Sequence, residues 1–227
     1  MSEAPVRVCL AGATGLVGSA ILREAAGRDD VRVIAIARRE VALPPGARME
    51  LLVWPPQDWP ALIAAARADV LVSALGTTIR AAGSQSAFRA VDHDLVLATA
   101  QAARGCGIAR MIAVSSIGAD PAARAFYLRT KGAVEDALGG LGFRRLDLIR
   151  PGLLLGPRAE ARPLERIARI IQPMLDPLLL HGRWKGYRSI RATTVARAIL
   201  SLCHEPTPGR RVHEYAAIRA LARRSGD

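Results

Sequence analysis

Hydrophobic and polar positions follow two rhythms along this chain. Short apolar runs recur at 6–12 (VRVCLAG), 31–39, 49–54, 69–76, 110–116 and 144–152. Such runs, rich in valine, isoleucine and leucine and closed by glycine, proline or charge, predict strands buried on both faces. Between them lie segments whose apolar residues stand three and four apart, which predicts helices. These cover 18–28, with Ile21, Leu22 and Ala25 on one face, then 58–68, 84–106, and 121–138 stopped by Gly139-Gly140. Six strands separated by helices, joined by right-handed crossovers, predict an open, doubly wound parallel sheet of the Rossmann type, an α/β fold. Two further helical patterns fall near 160–175 and 192–203. The expectation is a single domain over 1–227, with 153–227 as a small substrate-side or C-terminal extension.

The first strand runs into AGATGLVG, which spaces Gly12, Gly15 and Gly18 as GxxGxxG between a strand and a helix. That context is the signature of a dinucleotide-binding turn. The first glycine permits the tight turn, the second admits a pyrophosphate against backbone, and the third lets the helix pack close to the sheet. The helix start offers free N–H groups and the positive end of its dipole. Gly12, Thr14, Gly15, Leu16, Val17 and Gly18 are therefore expected to bind a cofactor. The second strand ends in Arg38-Arg39, where an acidic residue would select the ribose hydroxyls of NAD. Arginine instead suits a 2′-phosphate through its planar fork of donors, so NADPH is expected over NADH.

Tyr127 and Lys131 stand four apart on the helix after the fifth strand and so share one face. An ammonium beside a phenol stabilises the phenolate. With a serine hydroxyl to hold a carbonyl oxygen, the pair could deliver a proton while a nicotinamide delivers hydride. Ser115 and Ser116 end the fifth strand and are both within range of that role.

Composition narrows the picture. Hydrophobic residues make up 51% of 227, enough for a full core, so disorder is excluded as the main state. Charge sums to +12, carried by 30 arginines and only two lysines, Lys131 and Lys185. The positives are dispersed from Arg7 to Arg224 and lack interleaved aromatics, so a solvated surface is expected rather than specific nucleic-acid binding. A lysine retained in such a chain suits a role that needs a compact point charge. Three cysteines without a CxxC pair argue against disulfides and structural zinc, and four histidines share no ligand spacing, so no metal is expected. The reducing context implied by those thiols, and a start without a secretory pattern, lead to an expected cytoplasmic location. No uncharged apolar run reaches the ~18 residues of a membrane span.

The chain resembles the atypical branch of the short-chain dehydrogenase/reductase superfamily. AGATGLVG, VSS and YLRTK carry the likeness. Within that branch it is similar to the Tat-interacting-protein-like oxidoreductases through SALGTT (73–78), AFRAVDHDLVLATAQAA (87–103), SSIGAD (115–120), YLRTK (127–131) and RPGLLLG (150–156), in that order. The resemblance implies a Ser-Tyr-Lys site made by Ser116, Tyr127 and Lys131, with Ser115 still an alternative. It further implies that Lys131 holds the nicotinamide ribose, that Ala74, Leu75, Gly76 and Thr77 line the cofactor, and that Pro151 and Gly152 pass near the nicotinamide. Asp92 stands where many relatives carry Asn. The resulting expectation is an NADP(H)-dependent oxidoreductase of a small carbonyl or alcohol; the alternative is a non-catalytic NADPH-binding sensor or assembly partner. Residues 164–180 (LERIARIIQPMLDPLLL) read as a substrate-side lid, with Pro173 and Pro177 against one long helix.

Overall fold

The apolar runs of the first 150 residues each become a strand in the computed structural model, which describes residues 4–45, 49–156 and 188–224. In chain order, β1 (Val6–Ala11) leads into α1 (Leu16–Ala25), β2 (Val31–Ala37), β3 (Met49–Val53), α2 (Trp59–Ala66) and β4 (Val70–Ser73). Two short helices, α3 (Ile79–Ala82) and α4 (Gln85–Arg89), follow, and a π-helical turn, Ala90–Leu95, joins α4 to α5 (Val96–Gly105). Next come β5 (Arg110–Val114), α6 (Phe126–Gly139), β6 (Arg145–Ile149), β7 (Leu154–Leu155), β8 (Ile190–Arg191), α7 (Ala192–Cys203), β9 (Gly209–His213) and α8 (Tyr215–Arg224).

Among the described residues, seven strands form one parallel sheet in the order β3-β2-β1-β4-β5-β6-β9, and β7 pairs with β8 apart from it. Strand order reverses between β1 and β4, which opens a crevice at their carboxyl ends. The alternation of side chains explains the two layers. Val8 and Leu10 of β1 pack with α1, α7 and α8, whereas Cys9 and Ala11 pack with α2, α5 and α6. β2 divides the same way, with Val33 and Ala35 on the first side and Ile34 and Ile36 on the second.

Three details differ from the pattern reading. The helix expected over 84–106 is interrupted by the π turn, and the helix expected from 121 begins at Phe126. Residues 192–224, expected within a small extension, supply α7, β9 and α8, and β9 completes the main sheet beside β6. The helical pattern at 160–175 and the lid at 164–180 lie outside the described residues. Burial pushes the thiols of Cys9 and Cys203 up to about 12, so neither is a nucleophile at neutral pH.

A buried charge cluster fastens β9 to β6. Arg145 donates to both oxygens of Asp147, at 2.6 and 3.0 Å, and His213 Nε2 lies 2.7 Å from Asp147 Oδ1. Arg145 also donates to the Thr207 carbonyl at 2.6 Å. Replacing Asp147 with Ala leaves the buried Arg145 guanidinium with only the Glu205 carboxylate, 3.8 Å away, as counter-charge, and unfolding in urea should show a loss of about 3 kcal/mol.

Candidate functional site

The glycine turn after β1 sits at the point where strand order reverses. Gly12 adopts φ +94°, and a Cβ there would lie 2.6 Å from the Ala74 carbonyl that follows β4. A Cβ on Gly18 would lie 2.1 Å from the Gly12 carbonyl oxygen. Both glycines are therefore demanded by the packing of the turn itself. Gly15 is different: a Cβ there meets nothing nearer than 3.4 Å. It is the N-cap of α1, which has no side-chain cap, and its N–H donates to the Gly12 carbonyl at 3.2 Å. The first turn of α1 thus keeps its amides for something other than a side chain.

An open cleft spreads from this turn. Of the expected cofactor residues, Gly12, Thr14, Gly15, Arg38, Ala74, Leu75 and Gly76 line it. Arg38 is exposed at the end of β2, with no ion pair or hydrogen bond among the described residues. Arg39 is also exposed but does not line the cleft. Val17 and Gly18 are buried beneath the turn, and Leu16 packs towards Gly156. Sequence reasoning did not place Trp59, Ile36, Ala37 or Val91 here, yet all four line the cleft. Trp59, 2% exposed, is held by donation from Nε1 to the Trp54 carbonyl at 2.9 Å.

The second half of the site surrounds α6. Lys131 is buried, and its Nζ lies 2.7 Å from Asp92 Oδ1. The other oxygen of Asp92 accepts the Thr77 N–H at 2.7 Å. Tyr127 is half-buried one turn before Lys131, and its ring rests against Phe88 of α4 with centroids 5.7 Å apart. Ser115 and Ser116 follow β5. The Ser115 hydroxyl is buried and has no hydrogen-bond partner among the described residues, whereas Ser116 Oγ donates to the Ile117 carbonyl at 3.2 Å. The Pro151 carbonyl accepts the Ile117 N–H at 3.0 Å, so the Pro151–Gly152 turn and the serine loop are tied together.

Gly132 was not singled out by sequence. A Cβ there would lie 2.2 Å from the backbone of Asp120 and Pro121, so glycine lets the loop after β5 lie directly on α6. The available signal was a glycine inside a helix, next to the expected lysine. One distance joins the two halves of the site. Gly76 lines the cleft, and a Cβ on it would stand 3.9 Å from Lys131 Nζ.

Comparison with known proteins gives the family and the fold. The profile of the NAD(P)H-binding family matches residues 12–145. The chain is 38% identical over 169 residues to "Protein fmp52, mitochondrial" of Emericella nidulans, covering 71% of this chain and 72% of that protein. It is 42% identical over 177 residues to "Protein FMP52, mitochondrial" of Eremothecium gossypii, covering 77% of each. Among solved structures it shares its fold with the Bordetella bronchiseptica enzyme WbmH in complex with NAD⁺, at TM-score 0.68 and 17% identity, over 96% of this chain and 79% of that one. MoeE5 in complex with UDP-glucose and NAD gives TM-score 0.67 at 16% identity, over 96% and 82%. The expected cytoplasmic location is corrected by these relatives, which are named as mitochondrial. Unpaired cysteines report a reducing compartment without saying which one. Among the described residues, no helix is long and apolar enough to cross a membrane.

Proposed function

Because the chain belongs to the NAD(P)H-binding family, we propose that it is an NADPH-dependent oxidoreductase of the atypical short-chain dehydrogenase/reductase type, acting on a small carbonyl or alcohol. The observation that carries this reading is the approach of Lys131 to the cofactor cleft across Gly76, with Tyr127 one turn away on the same helix.

The residues of the cleft fit a dinucleotide. A ligand phosphate against Gly15 finds the uncapped start of α1 and no side chain in its way. Trp59, Ile36 and Val91 offer an apolar wall, and Arg38, unpaired among the described residues, stands at the rim, where a 2′-phosphate needs a cation. The nicotinamide cofactor, when bound, supplies the hydride. Tyr127 then gives its proton to the carbonyl oxygen of the substrate in reduction and takes it back in oxidation. Lys131 places a positive charge beside that phenol and faces the ribose hydroxyls. Ser116 donates a hydrogen bond to the same carbonyl oxygen, with Ser115, whose buried hydroxyl lacks a partner among the described residues, as the alternative.

A parallel fluorescence titration with NADPH and NADH tests the cofactor reading. Wild-type protein should bind NADPH more tightly. Arg38→Ala should lower the NADPH/NADH affinity ratio by about tenfold or more, the worth of one charge-assisted hydrogen bond. An unchanged ratio sinks the arginine assignment and leaves the fold untouched. A second reading, cofactor binding without turnover, has one observation in its favour: the Lys131 charge is already compensated by the Asp92 carboxylate. NADPH that stays bound through purification, with no oxidation by a panel of aldehydes and ketones, would select it.

A further inference from the structure

Asp92 was described with the second half of the site, yet it also reaches the first. It lies on the π turn between α4 and α5 and is 1% exposed. Its neighbour Val91 lines the cofactor cleft, and so does Gly76, the residue before Thr77. One carboxylate oxygen holds the Thr77 N–H. The other lies 2.7 Å from Lys131 Nζ but accepts no well-directed hydrogen bond, and a Cβ on Gly76 would stand 3.4 Å from it.

Stability alone gives a poor account of this pair. A buried ion pair is commonly no better for folding than apolar side chains of similar volume, because both ions must leave water. What such a pair does provide is a fixed geometry. A long lysine side chain carries several freely rotating bonds, and a buried counter-charge removes that freedom before any ligand arrives. The π turn matters here as well. Its wider winding places the consecutive residues Val91 and Asp92 on the cleft wall and beside Lys131, respectively, and such turns are frequent at functional sites. Other charged groups on the packed elements have partners of their own. His93 lies 2.7 Å from Asp94, Glu135 is held by Arg150 at 2.5 Å, and Arg129 donates to the Ala123 and Arg124 carbonyls. Among the described residues, Asp92 is the carboxylate within ion-pair distance of Lys131.

We propose that Asp92 is a positioning residue that fastens the Lys131 ammonium to the backbone of the Gly76–Thr77 turn, so that the lysine and the cofactor-side loop after β4 form one preassembled unit. The inference rests on Lys131 facing the cofactor, as proposed above. It departs from an asparagine at this position in one respect: the contact to the lysine is a charge pair, and neutralising the carboxylate removes it while sparing shape.

Asp92→Asn, Lys131→Met and the double variant, each titrated with NADPH and melted in parallel, test it. Asp92→Asn keeps the size of the side chain and an oxygen for the Thr77 N–H. It should weaken NADPH binding about tenfold, the cost of ordering one long side chain and one turn on binding. The losses should overlap, so that the double variant binds NADPH no more weakly than Lys131→Met alone. The double variant should also regain the melting temperature that Lys131→Met loses by stranding a buried carboxylate. A purely structural pair would show this coupling in melting temperature and none in affinity, so NADPH affinity within twofold of wild type in Asp92→Asn overturns the proposal. If Asp92→Asn does not fold, the double variant decides: wild-type affinity there overturns the proposal, and affinity equal to that of Lys131→Met supports it. Affinity is read without substrate, so a failure here is distinct from a failure of Tyr127 as the acid, which is read in turnover.

Discussion

Tyr127→Phe should lower turnover by about 10²–10⁴-fold, the usual contribution of a positioned proton donor, while NADPH affinity stays near that of wild type. The substitution removes one oxygen from a half-buried ring that packs on Phe88, so the packing that places the ring is preserved. The measurement is NADPH oxidation with a carbonyl substrate found by screening, paired with the fluorescence titration. Full turnover in this variant would remove the phenol from the mechanism and leave a cofactor-binding protein whose proton comes from elsewhere. Loss of both turnover and NADPH binding would instead mean that the ring holds the cleft together.

The glycine turn provides the second large effect, because its three members answer to different demands. Gly18→Ala puts a methyl group 2.1 Å from the Gly12 carbonyl oxygen, and backbone has to move. The intrinsic preference of helices for alanine over glycine returns about 1 kcal/mol, but the overlap should leave a net loss of about 2–3 kcal/mol or more. Gly15→Ala has room for its methyl, and an N-cap tolerates the change for under about 1 kcal/mol. Its effect should fall on the ligand: melting stays close to wild type and NADPH affinity drops by about tenfold or more as the phosphate is pushed off the helix start. Thermal melts with and without NADPH separate the two outcomes. If Gly15→Ala binds NADPH as wild type does, the phosphate does not approach that backbone.

Much of this architecture is legible in the chain because its physical causes are local. A strand buried on both faces must be apolar throughout, and β1 (VRVCLA) and β2 (VRVIAIA) read that way at once. Gly12 and Gly18 announce themselves because the turn between a strand and a helix leaves no space for a Cβ. The seventh strand was missed for the opposite reason. β9 reads GRRVH, lies at the sheet edge and is exposed over four of its five residues, so it carries no apolar run. Trp59 was placed on a helix but not in the cleft, since only the crossover that lays α2 beside β2 brings its ring there. Asp92 is the instructive case. Helical periodicity over 84–106 assumes 3.6 residues per turn, and the π turn breaks that count where the carboxylate turns inward. The preference between the two cofactors and the substrate itself depend on cleft shape and charge at atoms contributed from distant segments, which no local spacing encodes.

The position of β9 has a consequence for how the sheet is assembled during synthesis. Its ladder runs from Arg145 against Gly209 to Ile149 against His213, so β6 waits for a partner that emerges well after it. Until then β6 is itself an edge, with unpaired amides and carbonyls along one side, and such an edge invites another nascent chain to pair with it. Arg145 and Asp147 are inward-pointing charges on this strand, and a foreign strand that lacks His213 and the Thr207 carbonyl would bury the pair with those hydrogen bonds unmet. The cluster that anchors the finished sheet thus also guards the unfinished one, admitting β9 and penalising a stranger's strand.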